Sequence, residues 1–305
     1  MKGNCFMNLS VPLTYLFEFD KVDAAGRRNF LAQFADCGVK HLVLSSPLLN
    51  IMAESRDTTA DIKREMESFG LSFCDAHSPY GEHQNLNCPY LEERKSLAVR
   101  LKMYMNIAAY FGVDTMTYHI GNDILYPDIP MQTHIDRACS MLEAILPEAE
   151  KLNMTLCLEN IFVRSSTADI ILDLVRKFDT PHLALCFDSG HANVMEKGHC
   201  APDSIAYRYW KLSPGEPEWE DSLVKLKRML PYVVNAHLHD NDGIGDHHTI
   251  PGKGNVNWRE ILPLLLSAPR LKVLQSEVQM FRNGLCVKET VESFERIFSE
   301  LEGAK

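Results

Sequence analysis

The stretch Thr155 to His191, TLCLENIFVRSSTADIILDLVRKFDTPHLALCFDSGH, decides how the rest of the chain is read. Thr155 to Glu159 is a short apolar run that ends on a carboxylate, and Leu183 to Phe187 is a second run that ends beside Asp188. Between them, residues 167–178 space their apolar side chains three and four apart, the period of a helix with one buried face. Ser166 or Thr167 stands where a short hydroxyl side chain satisfies the free amides of a first helical turn. Strand, helix and strand in this order form the repeating unit of α/β folds.

The unit recurs in both directions along the chain. Further strand candidates are Cys5 to Val11, Lys40 to Leu44, Leu71 to Ala76, Thr115 to His119, Val233 to His237 and Leu271 to Ser276. Helical spacing fills the intervals near 23–37, 58–69, 91–111, 132–152, 220–230, 257–267 and 288–302, with Asn257 placed to cap the seventh helix. Eight strand-helix units in 305 residues average about 38 residues each, which predicts a single (β/α)8 TIM barrel over residues 1–305. A doubly wound open sheet is the rival, and neither of the phosphate-binding glycine fingerprints it would carry is present. The compositional break is Glu196 to Glu220, rich in Trp, Tyr, Pro and Glu. It predicts an extended loop after the sixth strand, acting as a lid or as an oligomer contact, so a homo-oligomer is an open expectation.

Composition narrows the partners. With 46% apolar and 24% charged residues the chain is that of a globular protein. Its 31 Lys and Arg against 41 Asp and Glu leave a formal charge of -10, a field that disfavours nucleic acid and anionic membranes. No apolar stretch is long enough to span a bilayer, and the N-terminal residues read as a first strand rather than a signal peptide. Nine cysteines without a C-x-x-C pair, several inside apolar runs, are read as reduced thiols of a cytoplasmic protein.

The ionisable residues gather where strands end. His77 follows the third strand, His119 ends the fourth and Glu159 the fifth. Asp188 and His191 follow the sixth, His237 and His239 end the seventh, and Glu277 follows the eighth. In a closed parallel barrel these ends meet on one rim, where barrel active sites are built. Buried carboxylates beside imidazoles carry a large desolvation cost that a divalent cation would offset. Glu159, Asp188, His237 and Glu277 form a set of mostly hard ligands suited to one Mn, Co or Mg ion, with Zn tolerated. Asn235 to Trp258, NAHLHDNDGIGDHHTIPGKGNVNW, is the densest titratable segment and reads as a polar loop at the rim.

Taken together, AHSPY around His77, YHIG around His119, LEN ending at Asn160, FDSGH from Phe187 to His191, HLHDNDG from His237, DHHTIPGKGNVNW from Asp246 and SE at Glu277 resemble the xylose-isomerase-like barrel superfamily. That group holds sugar phosphate isomerases and epimerases and the class II AP endonucleases, and the resemblance covers nearly the whole chain. It implies a metal on Glu159, Asp188, His237 and Glu277, with Glu159 and Glu277 also acting as acid and base. A proton would leave the carbon next to a carbonyl of a sugar, sugar phosphate or related polyol ketone, through an enediolate stabilised by the metal. His77, His119, His191, Asp246, His248 and Lys253 are then expected to face the substrate.

The endonuclease branch of the resemblance implies three Zn ions on His77, His119, Glu159, Asp188, His191, His237, Asp246, His248 and Glu277, with Tyr80 as a duplex-intruding side chain. The charge, the lack of an Arg in the expected loop after the second strand, Ser45 to Asn50, and the acidic stretch Glu216 to Asp221 favour the small-molecule branch. Free-ketose 3-epimerases of this kind usually carry an Arg that would fall at Gly243. Its absence keeps phosphorylated sugars, inositol ketones and keto-glycosides open as substrates. A dehydratase or a C-glycoside lyase would share the first step. Tyr207, Tyr209, Trp210 and Trp219 offer an aromatic wall.

Overall fold

A computed structural model describes residues 9–199, 201–212 and 219–302. Eight parallel strands close on themselves in sequence order: β1 (Leu13–Tyr15), β2 (His41–Leu44), β3 (Ser72–His77), β4 (Thr115–Tyr118), β5 (Thr155–Glu159), β6 (Leu183–Asp188), β7 (Val233–Leu238) and β8 (Val273–Ser276). β1 pairs with both β2 and β8, which completes a (β/α)8 barrel. Helices between the strands cover the outer surface, and one continuous apolar core of strand and helix side chains lies between them, among it Leu42, Leu142, Leu156, Leu172, Leu185 and Phe294.

Three local readings of the sequence are corrected. The first strand begins later than Cys5 to Val11; residues 1–8 lie outside the described residues. Pairing starts where the Pro12 carbonyl accepts the Leu274 amide (3.0 Å), and Leu13 then stands opposite Leu274. The segment after β2 is a helix, Ser46–Glu54, followed at once by a second, Arg56–Ser68. Pro47 lies in the first turn of the former, where its missing amide costs nothing. Thr167 and Asn257 do precede helices, but neither side chain makes a capping bond, and Asn257 instead donates to the Glu260 carboxylate.

Inside the barrel the filling is polar below the rim. Thr14, Asp75, Thr117, Asn235 and Gln275 are all fully buried there. Burial pushes the Asp75 carboxyl up to about 7. Cys157 and Cys186 pack with Ala184 and Val234 in a small separate cluster, and their thiols are pushed upward by burial. The described cysteines are all free thiols. Register shifts between Leu185 and Cys186, so that Leu185 faces Val233 while Cys186 faces Asn235. This irregularity sets the alternation that brings His237 beside Asp188. Among the described residues no helix is long and apolar enough to cross a membrane.

Candidate metal centre

Strand ends deliver the charged groups to one mouth. Glu159 closes β5, Asp188 closes β6, His237 lies near the end of β7, and Glu277 follows β8. One ligand atom from each of these four residues lies within 4.8 Å of the others. His237 Nδ1 stands 3.1 Å from Glu277 Oε1, 3.4 Å from Glu159 Oε1 and 3.8 Å from Asp188 Oδ2. Residues up to 118 apart in sequence, Glu159 and Glu277, therefore meet around one imidazole.

Two further groups flank this set. His77, His119 and Glu159 converge on one side, with Glu159 Oε2 3.3 Å from His77 Nε2 and 3.0 Å from His119 Nε2. His191, His239, Asp246 and His248 converge on the other. Asp246 Oδ2 is 3.1 Å from His248 Nε2 and 3.6 Å from His191 Nε2. His248 takes φ 50, a left-handed backbone that a non-glycine residue adopts only when its surroundings hold it.

The second ring nitrogens show what these imidazoles are set up for. A carbonyl can only accept, so His77 Nδ1 donates to Ser78 O (2.8 Å), His191 Nδ1 to Asn160 O (3.1 Å) and His248 Nδ1 to Glu277 O (3.0 Å). In the neutral tautomer this leaves each Nε2 lone pair facing a carboxylate, an arrangement that needs a proton or a cation between the two. Backbone-anchored imidazoles with the opposite nitrogen free are how metal ligands are oriented. Glu159 Oε1, Asp188 Oδ2, His237 Nδ1 and Asp246 Oδ1 are buried without a hydrogen-bond partner. The donor set thus fits a divalent cation of the oxygen- and imidazole-binding class.

Protons fill that role where a cation does not. Burial alone would push the Glu159 carboxyl up; His237 and His119, with hydrogen bonds from His119 and His191, outweigh it and hold the group well below its ordinary range. For His191, burial is opposed by Asp188 and Asp246, which raise the imidazolium well above the usual value. Burial likewise opposes, and Asp246 and Glu277 dominate, at His248, which rises to about 9. His119 moves down because its burial exceeds the attraction of Glu159.

A mouth of about 500 Å³ opens over these residues. His77, His119, His191, Asp246 and His248 line it together with Glu159 and Glu277. Lys253 does not: it is exposed on the turn beyond the rim. That turn is held by the buried Asp240, whose carboxylate accepts from Gly252 N (2.7 Å), Val256 N (3.1 Å) and Trp258 Nε1 (3.0 Å). Of the aromatic residues expected as a wall, Tyr209 lines the mouth against Phe162, with ring centroids 5.4 Å apart. Trp210 is core, donating its indole N–H to Phe162 O (2.8 Å). Tyr80 lines the mouth beside His119, at a centroid distance of 4.6 Å.

His239, which the strand-end pattern places beside His237, is a site residue that the expected ligand and substrate sets leave out. It stands two positions after His237, donates from Nε2 to Asp188 Oδ1 at 3.1 Å, and stacks on His248 at 3.8 Å. Gly190 makes room for it, since a Cβ there would lie 2.0 Å from the His239 ring. Gly243 also has no space for a side chain: its φ is 79 and a Cβ would meet the His199 ring at 2.3 Å.

The sequence model of the xylose isomerase-like TIM barrel matches residues 31–270. The chain belongs to that family. A curated relative, the uncharacterized protein MJ1311 of Methanocaldococcus jannaschii, is 27% identical over 170 residues, covering 54% of this chain and 51% of that protein. The chain therefore spans about half the length of the curated relative it matches. Among solved structures, D-psicose 3-epimerase with D-tagatose from Clostridium cellulolyticum superposes with a TM-score of 0.63 at 16% identity, over 96% of both chains. The TTHB071 protein of Thermus thermophilus, soaked with ZnCl2, gives 0.61 at 19% identity, over 97% of this chain and 99% of that one. At these identities the likeness is one of fold, and the xylose isomerase-like barrel is the frame on which this chain's own site is built.

Proposed function

We propose that the protein is a divalent-metal-dependent isomerase or epimerase of a sugar, sugar phosphate or related polyol ketone. The observation that carries this reading is the convergence of Glu159, Asp188, His237 and Glu277 beneath a mouth large enough for one sugar. Family membership and fold neighbours named as sugar epimerases support it. Glu159, Asp188, His237 and Glu277 would hold the cation, which when bound supplies Lewis-acid polarisation of a carbonyl.

The remaining work falls to this chain's side chains. Glu159 and Glu277 flank His237 and offer one carboxylate to take the proton from carbon and another to return it. The depressed pKa of Glu159 suits a group that is ionised at neutral pH, ready to accept that proton. His77, His119, His191, Asp246 and His248 present hydrogen-bonding groups to the hydroxyls around it. Tyr80, Phe162 and Tyr209 give the sugar's apolar face a surface and shut out water. The soluble substrate, not a duplex, suits a chain of net charge -10.

A second reading is favoured by one specific observation, the two groups that flank the central set. Glu159 is shared between the central set and the His77 and His119 group, and the three groups take in ten residues, His239 and the nine expected of a three-zinc phosphodiesterase. Metal analysis together with a deuterium-exchange screen over ketoses, their phosphates and inosose separates the two. The isomerase reading expects substrate C–H exchange that is lost in Glu159→Gln and Glu277→Gln. Retained exchange in both variants, or about three zinc ions per chain with salt-sensitive DNA binding, would overturn it.

A further inference from the structure

Behind His191 lies a second cavity of about 270 Å³, bounded by the start of the helix Ala168–Phe178, the helix Ser222–Met229, Trp219 and Glu220. It shares Ile161 and His191 with the main mouth. Lys225 lines it and is only 6% exposed, yet its ammonium makes no hydrogen bond or ion pair with any described residue. Asp169 and Glu220 also line the cavity, and each carboxylate near Lys225 is engaged by another donor. Asp169 and Glu220 both hold Arg228, Glu196 accepts from Ser222 N (2.7 Å), and Asp221 caps the amides of Leu223 (2.9 Å) and Val224 (3.0 Å).

Other donors face the same space unfilled. Arg228 lines the cavity with its Nε buried and unpartnered. The eleven-residue helix that begins after Thr167 has no side-chain cap, so its first-turn amides keep their partial positive charge. A buried ammonium without a partner is costly, and a small group with several anionic oxygens would satisfy it together with these donors. Burial pushes Lys225 down to about 8, against Glu220 and Glu196 which raise it, so at neutral pH the group is still mostly charged.

We propose that this cavity is an anion subsite that takes a phosphate or carboxylate group on Lys225, with Arg228 Nε and the helix start as further donors. The subsite does not depend on which reading of the rim holds. Its anion comes either as a free ion or as the far end of a molecule seated in the main mouth, since the two cavities share His191.

The test is calorimetric titration of the chelator-treated full chain with inorganic phosphate and with glucose 6-phosphate. Lys225→Met should weaken phosphate binding about tenfold or more, while Glu159→Gln should leave it unchanged. For glucose 6-phosphate, loss in both variants assigns the anion to a rim-bound molecule, and loss in Lys225→Met alone assigns a free-standing anion site. Phosphate that fails to bind the wild-type chain, or binds Lys225→Met equally well, overturns the proposal. Acetylation of the wild-type chain, mapped by mass spectrometry, decides the matter if the variant misfolds. Phosphate should protect Lys225 severalfold, and an unprotected Lys225 contradicts the subsite.

Discussion

The two arcs of the barrel mouth differ in what they bury. From β3 to β8 each strand brings a titratable group to the rim: His77, His119, Glu159, Asp188, the pair His237 and His239, and Glu277. From the segments after β1 and β2 the mouth receives Leu16, Phe17, Ser45 and Pro47, and the ionisable residues there, Glu18, Asp20 and Lys21, are not buried. Phe17 is anchored from behind by Phe19, Phe30 and Phe34 at centroid distances of 4.6, 5.2 and 5.9 Å. The difference has an energetic origin. Buried charges are tolerable only where each finds an opposite neighbour, so they gather in one arc, and the other arc buries apolar side chains and keeps its charges in solvent.

If the division is real, damage to the two arcs should have different consequences. The largest effect is expected on the charged side, where Glu159 contacts His77, His119, His191 and His237. Glu159→Gln should lower turnover by about 10³-fold or more, with an unchanged circular-dichroism spectrum. On the apolar side, Phe17→Ala should cost about 3–5 kcal/mol in a denaturant titration and leave the number of bound cations as it was. A change in cation number there would erase the distinction between the arcs.

Gly190→Ala sharpens it from within the charged arc, because its methyl group must displace the His239 ring. It should destabilise the chain by about 1–3 kcal/mol and weaken cation binding, measured by melting temperature and calorimetry. The smallest effect is one of pH on the metal-free chain. His248 has a folded-state value of about 9 against 6.5 ordinarily, so the folded chain binds more protons than the unfolded one between those values. Its contribution is complete below about 6.5 and is lost as the pH rises through about 9. A melting curve of His248→Asn that declines just as steeply across that window would contradict the assignment.

How much of this the sequence disclosed follows from which signals are local. Glu159, Asp188 and Glu277 were legible because each ends an apolar run, and polarity at the end of a buried strand is conspicuous. The barrel was legible because the strand-helix unit repeats and any closed order brings those ends together. His239 was less so, since its role depends on the space left by Gly190, which lies 49 residues earlier. Lys253 looked like a rim residue by its neighbours in sequence, but it is exposed on a turn held by Asp240 and does not line the mouth. The helix Ser46–Glu54 was hidden because Ser and Pro after a strand suggest a loop as readily as a helix start. The second cavity left no trace, because a lysine inside an amphipathic helix looks like a surface residue until the burial of its helix face is seen.

The central claim is that four residues from β5 to β8 share a cation. Equilibrium binding of Mn or Zn to the chelated chain, counted per chain for the wild type and for Glu159→Gln, Asp188→Asn, His237→Ala and Glu277→Gln, tests it directly. The account predicts that each substitution removes the same binding event or weakens it by about 10- to 100-fold. Wild-type stoichiometry and affinity in all four would contradict it.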